Sequence, residues 1–248
     1  MGCGASKIVP APEASADGQV VELTASDRAE AVQVIGRAFA GTSTADPEWV
    51  FHWTLGPQLP DRDDPQRAAV VEFMLHTQMM GMNNMHMFGV RSPDGKLQSV
   101  NYGHRVPGGG QISICAIVMA SFRIPAPPAY KKMHAKFDKR LLAVDKVMRA
   151  ASKKYAPGPH FHTVMVAVDP PSQGNGQCSL LMNALTRMAD AEGLPCYLEC
   201  SGTRARDIYA RYGYEEKECF TVGIPNDDDG HAPFSEFYAM VRPAKSSA

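Results

Sequence analysis

Apolar and polar positions alternate along some stretches of this chain and recur at helical spacing along others, and the two patterns take turns. From Gln19, V-V-E-L-T alternates as a first strand; Thr24 or Ser26 then caps a helix predicted over 27–39, with Ala29, Val32, Ile35 and Phe39 on one face. A second helix is predicted over 66–80. Strands over 85–91 and 97–106, joined by the turn Ser92-Pro-Asp-Gly95, make an antiparallel hairpin. Residues 111–119 read either as more sheet or as the start of a loop, and Pro125-Ala-Pro-Pro128 is a break. Over 130–155, Met133, Phe137, Leu141, Val144, Met148 and Ala151 recur at helical spacing. Opposite them lie Lys131, Lys132, Lys136, Lys139, Arg140, Lys146, Arg149, Lys153 and Lys154, with only Asp138 and Asp145 against them.

The second half is more sharply punctuated. Val164 to Asp169 reads as a strand, stopped by Pro170-Pro171 and followed by the turn Gln173-Gly174-Asn175-Gly176, which opens into a helix-forming run from Ser179. Gly193-Leu-Pro ends that helix and Cys196-Tyr-Leu-Glu-Cys-Ser201 forms the next strand, so strand, helix and strand make a parallel βαβ unit. Thr203 caps a helix that stops at Gly213. Tyr214 leads toward Cys219-Phe-Thr-Val-Gly, a solvated acidic turn follows at Asn226-Asp-Asp-Asp-Gly, and Glu236 to Val241 is the last strand.

Composition narrows the class. A chain of 248 residues with 44% hydrophobic and 21% charged residues and a net charge of -1 suits one soluble domain with additions and lacks a global basic field for nucleic acid. The domain is expected over 19–243 with an insertion around 107–158, between disordered tails at 1–18 and 244–248. No apolar run reaches the roughly 20 residues that span a bilayer. Six cysteines without a C-x-x-C pair point to reduced, intracellular thiols in the cytoplasm and to no metal site. Cys196 and Cys200, on one face of a strand, stand about 13 Å apart at the usual rise. The opening M-G-C-G-A-S matches the N-myristoylation pattern, with Gly2 as the acylated residue and Cys3 beside it for palmitate, an expected lipid anchor.

A glycine turn at a helix start is suited to an anion, because unpaired backbone N–H groups converge there and the helix dipole favours negative charge. Gly174-x-Gly176 fits neither G-x-G-x-x-G, since Ser179 stands at the third glycine, nor the triphosphate loop, since no lysine follows. Trp49, Phe51 and Trp53 read as a pocket wall or as core, and the methionines from Met74 to Met87 as an adaptable apolar wall or as core filling. The basic helix reads as facing an anionic membrane, as lying near cofactor phosphates, or as a solvated face.

Taken together, V-D-P, then Q-x-x-G-x-C into a helix, then L-E-C-S, then Y-x-x-x-G-Y resembles the GNAT superfamily of acyl-CoA-dependent N-acetyltransferases. H-F-H-T-V-M-V-A-V-D-P-P-S-Q-G-N-G and L-P-C-Y-L-E-C-S look like its puromycin acetyltransferase-like branch. The likeness is strong over 160–222, extends by order of elements over 20–106, and is absent from the first eighteen residues. It implies an α/β (α+β) fold whose mixed sheet of six to seven strands has an antiparallel N-terminal half and a splayed parallel βαβ unit. It further implies acetyl-CoA bound by the loop Gln173, Gly174, Asn175, Gly176, Gln177, Cys178 and Ser179, with backbone groups near Val166 and Val168 facing the thioester. Tyr209 would protonate the departing thiolate. Cys178 stands where glycine or alanine is usual in the family, and the asparagine often found before the tyrosine is missing. The acceptor amine needs a base or a water chain, for which Glu199, His160, His162 and His104 are candidates; Trp49, Trp53 and His162 are candidates for contacting the acceptor. The expected activity is acetyl transfer to a primary amine of a small molecule. A non-catalytic acyl-CoA-binding module tethered to a membrane and a protein or peptide N-acetyltransferase are the alternatives.

Overall fold

The computed structural model describes residues 19–39, 49–56, 59, 64–81, 85–109, 124–224 and 232–245. Seven strands form one mixed sheet in the order β1-β2-β3-β4-β5-β7-β6. They are β1 (Gln19–Glu22), β2 (Met85–Arg91), β3 (Leu97–Val106), β4 (His160–Val168), β5 (Cys196–Ser201), β6 (Glu215–Val222) and β7 (Phe234–Arg242). β1 to β4 pair antiparallel, β4 and β5 are parallel, and β7 runs antiparallel between β5 and β6. The sheet is the one expected, with seven strands.

Among the described residues six helices flank it: α1 (Arg28–Phe39), α2 (Trp49–Leu55), α3 (Pro65–Gly81), α4 (Pro128–Tyr155), α5 (Gln177–Glu192) and α6 (Thr203–Ala210). One face carries α1 to α4, joined to the sheet by a core that includes Val34, Ile35, Leu75, Phe137, Val100, Tyr102 and Ala167. The other carries α5 and α6, over Phe161, Met182, Leu185, Leu198, Tyr214 and Met240. Each fully buried Leu, Ile or Phe in these layers is worth about 1.5–3 kcal/mol relative to exposure.

Thr24 is the cap of the first helical segment, as expected: its hydroxyl accepts from Ser26 N–H, and its own N–H donates to the Asp27 carboxylate at 2.8 Å. The helix opens with a 3₁₀ turn over Ala25–Asp27. Its buried stripe is Ala31, Val32, Val34 and Ile35, whereas Ala29 is exposed, a correction to the predicted face. β2 and β3 have their predicted bounds, and α3 and α4 start one and two residues before theirs. α4 buries Met133, Phe137, Val144 and Ala151, as its spacing requires. It also buries Arg140, which the sequence places on the solvated face; that guanidinium donates to the Thr54 carbonyl at 3.4 Å. Its basic face is not near the start of α5, which packs on the opposite side of the sheet, so the cofactor-phosphate reading of that face is overturned. β4 begins at His160 rather than Val164, α5 at Gln177 rather than Ser179, and Thr203 is the first residue of α6, with Gly202 before it. None of the described helices is long and apolar enough to cross a membrane.

Candidate active site

Two features of one strand build the site, its loop and its fork. After β4, a 3₁₀ turn over Pro170–Ser172 leads to Gly174 and Gly176, both left-handed with φ of 83° and 77°. Gly176 is the N-cap of α5 and brings no side chain to the first turn, so the N–H groups that a Ser or Asp cap would take stay open. Apart from the adjoining chain, nothing among the described residues lies within 4 Å of where a Cβ at either glycine would sit, so there is open space beside the loop. Side chains brace the loop from behind. Gln177 donates to Gln98 at 2.9 Å, Gln173 Nε2 donates to the Val168 carbonyl at 3.2 Å, and the Tyr212 hydroxyl meets Ser179 Oγ at 2.7 Å. Cys178 turns inward against the cluster that holds Val166 and Tyr209, and burial pushes its thiol pKa up. It is a small apolar packing group at the helix start.

Asp169, read from sequence only as the end of a strand, is buried and bidentate to Arg37 of α1 at 2.8 and 3.0 Å, which fixes the end of β4 just before the loop.

β4 and β5 pair only from Phe161↔Cys196 to Thr163↔Leu198 and then part. Beyond the fork β4 stays paired with β3, with Val164 inserted as a bulge between the Thr163↔Gly103 and Met165↔Tyr102 pairs. The Asp169 N–H donates to the Gln98 carbonyl on the β3 side at 2.8 Å. Backbone groups alternate along a strand, so those of Val168 and Val166 point the other way, into the gap that β5 has left.

The first residue of β5 beyond the fork is Glu199, and its carboxylate meets His162 Nε2 at 2.8 Å, with the two side chains 2% and 14% exposed. His162 lies opposite His104 on β3, their rings 5.0 Å apart, and His160 and Tyr197 complete the group on the same face. Burial, and then the neighbouring histidines, push the His104 pKa down to about 4; burial also lowers His160, and burial with the Glu199 charge raises Tyr197. These groups are therefore neutral near pH 7. Among the described residues His104 Nδ1 and His160 Nε2 are buried without a hydrogen-bond partner, so polar capacity is left unsatisfied on this face beside the fork.

Tyr209 stands on the other face. It is half-buried in α6, its ring 6.0 Å from that of Tyr214, against the same cluster as Val166 and Cys178. The structure thus gathers Val166, Cys178 and Tyr209 on the α5 side of the fork, and Glu199 and His162 on the other. It does not bring Trp53 to the fork. Trp53 is 4% exposed in a cluster with Val144, Val222, Phe234 and Phe237, its indole donating to Ala232 O at 2.8 Å. The alternation that marked it for a pocket wall is in fact a helix, α2, with this side turned to the core. The side chain of Trp49, and Gly2 and Cys3, lie outside the described residues. Among the described residues no group of three or more His, Cys, Asp or Glu side chains is placed to hold a metal ion.

A parted pair of parallel strands beside an open, glycine-led helix start, with buried polar groups on one face and a tyrosine on the other, is an arrangement suited to holding a phosphate-bearing ligand and acting on its carbonyl. Residues 136–214 match the model of the acetyltransferase (GNAT) family. The chain is similar to a solved structure described as histone acetyltransferase HPA2 and related acetyltransferase from Corynebacterium glutamicum, with 21% identity over 94% of this chain and 99% of that one, and a TM-score of 0.54. It is also similar to mosquito arylalkylamine N-acetyltransferase like 5b, with 14% identity over 90% and 99% of the two chains and a TM-score of 0.53. At such identities these structures speak for the fold. No curated protein matches the chain. The stretch 136–214 is thus like that of the GNAT acetyltransferases, a family that uses acetyl-CoA, and the matches do not single out a branch within it.

Proposed function

We propose that this protein transfers acetyl from acetyl-CoA to the primary amine of a small molecule, as the puromycin acetyltransferase-like motifs suggest. The observation that carries the reading is the Glu199–His162 pair at the fork, opposite Tyr209. The open N–H groups of the first turn of α5 suit the pyrophosphate, and the backbone of Val166 and Val168 suits the pantetheine arm and thioester carbonyl. Glu199, coupled to His162, takes the proton that the acceptor ammonium must lose before its nitrogen attacks the thioester. Tyr209 holds the proton for the departing thiolate. A small acceptor is favoured over a peptide because the base is 2% and its partner 14% exposed, which suits a slender primary amine better than a chain terminus flanked by side chains.

Thiol release from acetyl-CoA across a panel of primary amines and N-terminal peptides tests this. Tyr209→Phe should lower kcat by about 10²–10⁴-fold while leaving acetyl-CoA binding in place. Turnover confined to peptides would overturn the small-molecule reading, and an unchanged kcat would remove Tyr209 from the chemistry. We also propose that the M-G-C-G-A-S segment is acylated at Gly2 and Cys3. That reading is supported by the sequence pattern, and Gly2→Ala should then release the protein from cell membranes.

A further inference from the structure

The charged face of α4 has no part in the site, and its composition is unusual. Lys139, Leu142, Lys146, Arg149 and Lys153 succeed one another by three or four residues, so they form one stripe about 21 Å long on the solvent side of the helix. Leu142, in its middle, is 66% exposed and is the one exposed large hydrophobic residue among those described. Acidic groups near the helix are accounted for: Arg149 is paired with Asp145 at 2.6 Å, and Lys154 at the helix end with Glu218 of β6 at 2.8 Å. Asp138 accepts from the Tyr130 hydroxyl at 3.2 Å. Lys139, Lys146 and Lys153 have no ion pair among the described residues. The opposite side of α4 is fully engaged through Met133, Phe137 and Val144, so this face is the one the helix leaves outward.

We infer that the α4 stripe docks the enzyme on an anionic lipid surface, with Lys139, Lys146 and Lys153 among the headgroups and Leu142 at their boundary with the acyl chains. An apolar side chain centred in a cationic row suits that boundary, where charge and hydrocarbon lie within a few ångströms of each other. A nucleic-acid backbone offers nothing for Leu142, and the chain has no basic field beyond this helix. The inference does not need the acylated tail, because the stripe acts in the unacylated protein; an acyl chain would add to it, since a single myristate holds only marginally.

Full-length unacylated protein is mixed with vesicles of phosphatidylcholine alone or with phosphatidylserine, and the bound fraction is read by flotation at low and high salt. Binding should require phosphatidylserine and fall with salt. The triple variant Lys139→Gln, Lys146→Gln, Lys153→Gln should weaken it on the order of a hundredfold, from about 1 kcal/mol per cation. Leu142→Gln should weaken it with the charges intact. Solution turnover and melting of each variant should match the parent, since none of these side chains touches the core or the fork. Equal binding to both vesicle types, salt-independent binding, or a triple variant that binds like the parent overturns the inference, as does single-stranded DNA bound as strongly with no contribution from Leu142. A parent whose Gly2→Ala form stays on membranes in cells while unacylated protein binds these vesicles would instead count against acylation and leave the stripe standing.

Discussion

The histidine group beside the fork makes the stability of this protein depend on pH in a way one substitution can isolate. His104 is 7% exposed, and burial with its histidine neighbours holds its pKa at about 4, against an ordinary 6.5. On acidification the unfolded chain therefore binds a proton first. The stability contributed by keeping His104 neutral is whole above the ordinary value and is lost as pH falls toward the folded one. From those two values the loss between about pH 8 and pH 5 is about 2 kcal/mol, rising toward about 3 kcal/mol near pH 4. The groups facing His104 are His162 across the strand pair, with His160 and His86 nearby, and His160 adds a loss of the same sign because burial lowers it too. Carboxylates held low by partners, such as Asp27 and Asp190, lose their share at lower pH, below the ordinary carboxylate range. Urea unfolding of the parent and of His104→Gln over this range separates the contribution: the variant starts lower, but its stability should fall by about 2 kcal/mol less between pH 8 and pH 5. Parallel curves for the two proteins would refute the assignment of a buried, neutral His104.

Two glycines give further tests. A Cβ at Gly103 would lie 2.3 Å from the His162 carbonyl oxygen and 3.1 Å from Thr163 Cα, both backbone atoms, so Gly103→Ala should cost about 1–3 kcal/mol in denaturant unfolding and disturb turnover together. A loss below about 0.5 kcal/mol would mean the strands can separate freely there. At Gly176 there is space but the backbone is left-handed, so Gly176→Ala should cost about 1 kcal/mol of stability and raise the KM for acetyl-CoA several-fold with kcat nearly kept. An unchanged KM would remove this loop from cofactor binding.

What the sequence made legible is what local rules govern. β2 and β3 have their predicted bounds because an alternating pattern is interrupted by a Pro-Asp-Gly turn, and α4 could be read from the period of its apolar stripe. The order strand, glycine loop, helix, strand carried the site. Local rules do not say which of several polar residues on a helix turns inward. Arg140 therefore read as solvated, although it reaches Thr54, which lies 86 positions away. Trp53 read either as a wall or as core, since W-V-F-H-W fits both periods over so few residues, and the helix places it in the core. The Arg37–Asp169 clamp spans 132 positions and has no local signature at all. The histidines were candidates by type, and only the register of β3 on β4 and the parting of β5 show that His104, His162 and Glu199 meet.

The bulge at Val164 explains why one strand can serve both halves of the site. Below it the Phe161 N–H points to β5, donating to Pro195 O at 2.9 Å, while His160 and His162 face the α4 side and Phe161 the α5 side. An uninterrupted strand would keep that phase, so the N–H of Asp169, an even number of residues on, would also point toward β5. It points to β3 instead. The one inserted residue reverses both alternations: the side chain of Val166 joins the α5 side, that of Ala167 the α4 side, and the backbone of Val166 opens toward the gap. Without the insertion, Val166 would keep its N–H and C=O tied to β3 and set its side chain beside the histidines. The histidine-bearing end of β4 and the end proposed to face the thioester are thus separated by phase as well as by distance, and Gly103, whose missing Cβ lets the His162 carbonyl approach, is the residue on β3 that permits the slip.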